Sequence, residues 1–123
     1  MAFGYGSTEE VWQAVKTQPD TLRLTYEWDG RETTREVVGG SLLSGRDEGI
    51  RLHIPHTKVS QFHLLFEWDA KTRKWKAKDL YSSNKSWLNN AKMKANQARV
   101  LSSGDSVSLA DVVDITVEVR TCL

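Results

Sequence analysis

From Thr21 onward the chain alternates apolar and polar side chains with a period of two. "TLRLTYEW" sets Leu22, Leu24, Tyr26 and Trp28 against Arg23, Thr25 and Glu27, the pattern of a strand with one buried face. Asp29-Gly30 follows, a dipeptide that favours a tight hairpin turn, and "RETTREVV" returns as the partner strand until Gly39-Gly40 break it. "SLLSGR" predicts a further short strand. "GIRLHI" predicts an extended segment with Ile50, Leu52 and Ile54 on one face, closed by Pro55. "HTKVSQ" is a polar loop, and "FHLLFEWD" is apolar on both faces, which predicts an interior strand. "KWKAKDL" alternates Trp75, Ala77 and Asp79 against Lys74, Lys76 and Lys78. "SVSLA" and "DITVEVR" predict the last two strands.

Ahead of these the period is helical. In "GSTEEVWQAVKTQPD", Ser7 and Glu10 stand at capping-box spacing, Val11, Trp12 and Val15 fall at helical intervals, and Pro19 ends the pattern. This predicts one short amphipathic helix over Thr8 to Lys16 whose Trp12 packs on the rest of the domain. Many short strands divided by Gly, Asp, Asn and Ser, with one helix at the edge, predict an all-β sandwich or barrel. The expected division is an N-terminal helical extension, residues 1–20, packed on a β domain, residues 21–121. Trp28, Trp68 and Trp75 are expected in the core, and Asp79 and Asp105 in turn and loop structure.

The 123 residues suffice for one domain with a modest core. With 39% hydrophobic and 27% charged residues the chain is expected to be globular. A net charge of +1 argues against a general nucleic-acid binder. The single cysteine, Cys122, allows no intrachain disulfide and no zinc knuckle, which fits a reducing compartment. No secretory signal or membrane-spanning run is read, so the expected location is intracellular, cytoplasmic or nuclear. His53 and His56 do not make a metal site by spacing alone, and neither a metal nor a cofactor is expected. The basic residues between Lys71 and Lys78 read as a solvated face.

Polar clusters occupy the connections between apolar strands: "SGRDEG" with Arg46, "KVSQFH" with Lys58, Ser60 and His63, and "SSNKS" with Ser83 and Asn84. The ordered set Gly-Arg, Ile-x-Leu, Val-Ser-x-x-His, Asp-Leu-x-Ser-x-Asn-x-Ser-Trp-Leu-Asn and Leu-x-x-Gly-Asp resembles a forkhead-associated (FHA) domain over roughly residues 41–119. The resemblance implies a sandwich of two twisted antiparallel sheets whose loops at one end read a phosphothreonine in an extended peptide. It implies phosphate contacts from Arg46, Ser60 and Ser83, and a hold on the ligand backbone from Asn84. Lys58 falls where the family faces the residues after the phosphothreonine, and Gln61 stands beside the phosphate-contacting serine. His63 is structural in the family, tying loop to strand. Trp87 and Leu88 are expected to enter the core and anchor the "SSN" donors; Asn89-Asn90 reads as a turn.

The residue chemistry agrees with those roles. A phosphothreonine carries a charge of about −1.5 to −2 and three strong acceptor oxygens, which a guanidinium meets with planar donors. The Asn84 amide both donates and accepts, as a neighbouring strand would. One position departs from the family: Lys85 stands where glycine usually follows the asparagine. Glycine there permits positive φ at little cost, so Lys85 raises either a changed loop shape or tolerated strain, and it adds positive charge toward the peptide.

The expected function is a phosphothreonine-dependent binding module in signalling, its partner a phosphorylated protein made by a Ser/Thr kinase, with no nucleic-acid or membrane partner. The alternative is an FHA-fold assembly domain independent of phosphorylation. An enzyme is not expected: Ser60, His63 and Asp79 supply the residue types of a hydrolase triad, but no G-x-S-x-G pattern surrounds Ser60. Read without the family pattern, Arg46 is a surface arginine pairing with Asp47 or Glu48.

Overall fold

The computed structural model describes residues 18–121. Eleven strands form two sheets: β1 (Thr21–Trp28), β2 (Arg31–Val38), β3 (Ser41–Gly45), β4 (Leu52–His53), β5 (Leu64–Asp69), β6 (Lys74–Asp79), β7 (Ser86–Leu88), β8 (Ala91–Lys92), β9 (Arg99–Val100), β10 (Ser106–Leu109) and β11 (Val113–Arg120). One sheet has the order β2-β1-β11-β10-β7-β8, the other β4-β3-β5-β6-β9. The all-β two-sheet sandwich expected from the alternation is therefore present. Its inner faces bury Leu22, Leu24, Leu64, Phe66, Trp75, Ala77, Val107, Leu109 and Ile115. Each aliphatic or phenyl side chain removed from water here contributes roughly 1.5–3 kcal/mol.

The expected short N-terminal helix is corrected. The described residues contain no helix, and the span assigned to it, residues 8–16, lies outside them. The helical signal was a single capping box and three apolar positions over about two turns, which carries little helical stability of its own. Among the described residues the core is built from the sheet faces together with Ile54, Val59, Met93, Leu101 and Ala110 of the connections.

Local chemistry accounts for the hairpins. Asp29 and Gly30 both take positive φ, 53° and 75°, the two-residue geometry that matches strand twist. Asn89 and Asn90 repeat it between β7 and β8, at 50° and 68°.

Three strand expectations need revision. "GIRLHI" is extended only at β4, because Asp47 to Ile50 folds into a turn: Asp47 accepts from the amides of Gly49 and Ile50 at 3.1 and 3.3 Å. Moreover β4 runs parallel to β3, Ser44 opposite Leu52; the other strand pairs are antiparallel, and one isolated parallel bridge joins Asp79 to Ala95. β5 is interior in its sheet, yet only the face of Leu64, Phe66 and Trp68 meets the core, while on the other Glu67 is exposed and Leu65 half-buried. Of the three tryptophans assigned to the core only Trp75 is buried. Trp28 and Trp68 are half-buried and pack on its margin, Trp28 edge-on to His56 and Trp68 beneath the Arg73 guanidinium.

Candidate functional site

β3 ends, β5 begins, β6 ends and β7 begins at one end of the sandwich, because Ser44 pairs with Leu64 and Leu64 with Asp79. The connections there carry the candidate residues: Arg46 after β3, Lys58 to Gln61 before β5, and Ser83 and Asn84 between β6 and β7. Arg46, Lys58, Ser60, Gln61, Ser83 and Asn84 line one open hollow of about 290 Å³, completed by Thr57 and Val59. Among its described lining residues two are cationic and none is acidic.

Hydrogen bonds fix the loops against one another. The Arg46 amide donates to the Ser60 carbonyl and the Asp47 amide to that of Gln61, at 2.9 and 3.2 Å. The approach is close enough that a Cβ on Gly45 would lie 2.2 Å from the Gln61 oxygen, so only glycine fits. Arg46 Nε donates to the Val59 carbonyl at 2.9 Å, which aims the exposed guanidinium along the hollow. No ion pair joins Arg46 to Asp47 or Glu48 among the described residues. The Ser60 hydroxyl oxygen accepts from the Ser83 amide at 3.1 Å, leaving its own proton to donate elsewhere. Asn84 Nδ2 donates to the Lys58 carbonyl at 2.8 Å, leaving Oδ1 as an acceptor.

His63 is fully buried and ties two of these loops together. Its Nδ1 accepts from the Ser60 amide at 3.0 Å, so the remaining proton is on Nε2, which donates to the Lys85 carbonyl at 2.9 Å. Burial holds the imidazole below its usual value, partly opposed by the Lys85 carbonyl and by the Asp79 charge. With both ring nitrogens committed to backbone, and Ser60 Oγ bonded to Ser83, the set Ser60, His63 and Asp79 does not form a nucleophile–base pair.

Asp79 does more than the turn-forming role expected of it. Its carboxylate, 1% exposed, accepts from the Ser82 amide at 3.0 Å, the Ser82 hydroxyl at 2.5 Å and the Ser86 hydroxyl at 2.7 Å. Ser82 and Ser86 are likewise buried. This polar cluster, not Trp87, anchors the Ser83–Asn84 loop. Trp87 is half-buried, and in β7 it is Ser86 and Leu88 that point inward; period two forces neighbours to opposite faces. The signal for Asp79 was legible, since it shares the phase of Trp75 and Ala77.

Lys85 is the one candidate that the structure does not bring to the hollow. Its backbone takes φ of 69°, the conformation a glycine would adopt, and its carbonyl also accepts from the Ala110 amide at 2.9 Å. Its side chain turns away, Nζ lying 3.4 Å from the Ser82 carbonyl. Tyr81, also at positive φ, is 72% exposed on the same loop, and Phe62 is 49% exposed on the neighbouring one. Among the described residues no cluster of three His, Cys, Asp or Glu is arranged to hold a metal.

A sequence model of the FHA domain matches residues 42–110. No curated protein sequence matches. Many solved structures do. One, from a structural and functional analysis of phosphothreonine-dependent FHA domain interactions, is 31% identical, covering 80% of this chain and 95% of its own, with a TM-score of 0.68. A second, the FhaA FHA domain complexed with the intracellular domain of Rv3910, is 32% identical, covering 80% and 99%, with a TM-score of 0.64. The N-terminal FHA domain of Rad53p from S. cerevisiae, in complex with a phosphothreonine peptide, is 18% identical over 81% and 94%, with a TM-score of 0.72, and shares the fold.

Proposed function

The chain belongs to the FHA domain family, and on that premise we propose that it is a non-catalytic module that binds a phosphothreonine in an extended peptide. The observation that carries the reading is the meeting of Arg46, Ser60, Ser83 and Asn84, from three separate connections, around one hollow whose described lining holds two cations and no carboxylate. The terminal amino groups of Arg46 face the phosphate, since its Nε is committed to Val59. The hydroxyls of Ser60 and Ser83 donate to further phosphate oxygens without adding charge. Asn84 Oδ1 accepts a ligand backbone amide, and Lys58 and Gln61 flank the peptide beside the phosphate. Loops tied to one another before the ligand arrives lower the ordering cost of binding.

The Lys85 backbone supports this reading over a phosphate-independent assembly surface. That alternative rested on a loop reshaped by the loss of glycine, whereas φ at Lys85 remains in the glycine region. The partner is then a protein phosphorylated by a Ser/Thr kinase, met inside the cell; no nucleic-acid or membrane contact enters the reading. The test is a titration of a degenerate phosphothreonine peptide library beside phosphoserine and unmodified controls, with wild type and Arg46→Ala. Phosphothreonine-selective binding that Arg46→Ala weakens by about 2–5 kcal/mol is expected. Equal binding by the two proteins, or indifference to phosphorylation, rejects it.

A further inference from the structure

Next to the proposed phosphate hollow, across the Ser83–Asn84 loop, lies a second open hollow of about 430 Å³ lined by Lys85, Lys92, Lys94, Ala95 and the buried Met93. Its place follows from the β7–β8 ladder. Trp87 pairs with Lys92, and the Met93 amide donates to the Ser86 carbonyl at 2.9 Å. Just beyond the ladder, Lys85 precedes β7 and Lys94 follows Met93, and both line the hollow. Lys92 and Lys94, two apart, share a side of the chain. Three ammonium groups therefore gather at the end of the sandwich that carries the Arg46 hollow.

The arrangement is unfavourable on its own terms. Like charges gathered around one hollow repel, and a lysine at positive φ is strained. No acidic side chain lines the hollow, and none of the three lysines has an ion pair among the described residues. Asp79, at the end of β6, is buried and turned to Ser82 and Ser86. The opposite flank of the phosphate hollow has the reverse character, since Asp47 and Glu48 line the hollow that Arg46 shares on that side. The recognition end is thus polarised, basic on one flank and acidic on the other.

We infer that the Lys85–Lys92–Lys94 hollow is a second anion site, taking a carboxylate or a second phosphate on the same peptide that places its phosphothreonine at Arg46. The inference rests on the proposed phosphothreonine reading and adds the ligand's second recognised group. Asn84 and Lys85 are adjacent in the chain, with Cα atoms about 3.8 Å apart. The two hollows therefore adjoin, and at about 3.3 Å per residue of extended peptide both anions fit on one short segment, the second on one side of the phosphothreonine only.

The test uses phosphothreonine peptides with neutral flanks, and the same peptides with glutamate or phosphoserine two, three or four residues to either side, measured at physiological salt. The proteins are wild type, Lys92→Gln/Lys94→Gln, and the charge-matched Lys71→Gln/Lys74→Gln, which alters the turn at the far end of β5 and β6. An added anion on one side is expected to tighten wild-type binding roughly tenfold, the scale of a charge-assisted contact. That gain is expected to vanish in Lys92→Gln/Lys94→Gln, to survive in Lys71→Gln/Lys74→Gln, and to leave neutral-flank affinity within about twofold in all three proteins. Gain from phosphoserine alone identifies a second phosphate as the ligand group; gain from both identifies any anion. No gain on either side, or a gain that both lysine pairs abolish equally, overturns the site while the phosphothreonine reading stands. Failure of the neutral-flank phosphopeptide to bind overturns both.

Discussion

Replacing Asp79 with alanine removes the acceptor for three donors at once: the Ser82 amide, the Ser82 hydroxyl and the Ser86 hydroxyl. All three belong to buried residues. A buried donor left without a partner costs about 1–3 kcal/mol, so the upper bound is the sum of three such terms. Water entering the vacated volume and the recovered cost of burying a carboxylate offset part of it. The expected loss is about 3–5 kcal/mol, a large share of the roughly 5–15 kcal/mol that holds a domain folded. It corresponds to a fall in melting temperature of about 10–25 °C. Asp79→Asn serves as the discriminating arm. Its amide can donate to the two hydroxyls while its oxygen accepts from the Ser82 amide, so it is expected to cost only about 1–2 kcal/mol. Urea denaturation of the three proteins, read by intrinsic tryptophan fluorescence, measures the differences. If Asp79→Ala costs under about 1 kcal/mol, the cluster does not anchor the loop; if Asn costs as much as Ala, the negative charge rather than hydrogen bonding is what matters.

Three further outcomes are expected. Lys85→Gly relieves positive-φ strain of about 1–2 kcal/mol against an entropic cost of about 0.4–1, so it should be more stable than both wild type and Lys85→Ala in the same urea assay; a less stable glycine variant contradicts the assigned backbone. Gly45→Ala drives a Cβ into the Gln61 carbonyl and should weaken both stability and phosphopeptide affinity through displacement of Ser60, whereas unchanged affinity in a folded protein refutes the close approach. His63, whose folded imidazole binds a proton only below its ordinary value of 6.5, makes folding stability complete above that value. Stability should then decline as pH falls from about 7 toward 5.5, because the unfolded chain takes up the proton first. In a variant with His53 and His56 replaced by glutamine, denaturation midpoints that stay flat or rise across that window rule this out.

What the sequence made legible was the chemistry that acts locally. Asp29-Gly30 and Asn89-Asn90 specify their turns by backbone preference alone, and Leu22, Leu24 and Tyr26 mark an inward face over eight residues of β1. Phase failed where strands were short. Three residues of β7 do not reveal whether Trp87 or its neighbours point inward, and size suggested the wrong one. β5 looked apolar on both faces because Leu65, half-buried, stands on the face opposite Leu64, Phe66 and Trp68. The meeting of Arg46, Ser60, Ser83 and Asn84 was readable only from the ordered spacing of the whole motif, since no periodicity brings three connections to one end. Lys85 shows the complementary limit: its identity marked a departure, but only the backbone at positive φ and the contact of Nζ with the Ser82 carbonyl reveal where the side chain goes.

Asp79 belongs to one sheet and Ser86 to the other, so a single carboxylate rivets the two halves of the sandwich beneath the recognition end. The side chains proposed to face the ligand make no hydrogen bond to that carboxylate. Lys58 and Gln61 are therefore free to be exchanged in search of new peptide preferences, by evolution or by an engineer, while the frame that presents them stays put.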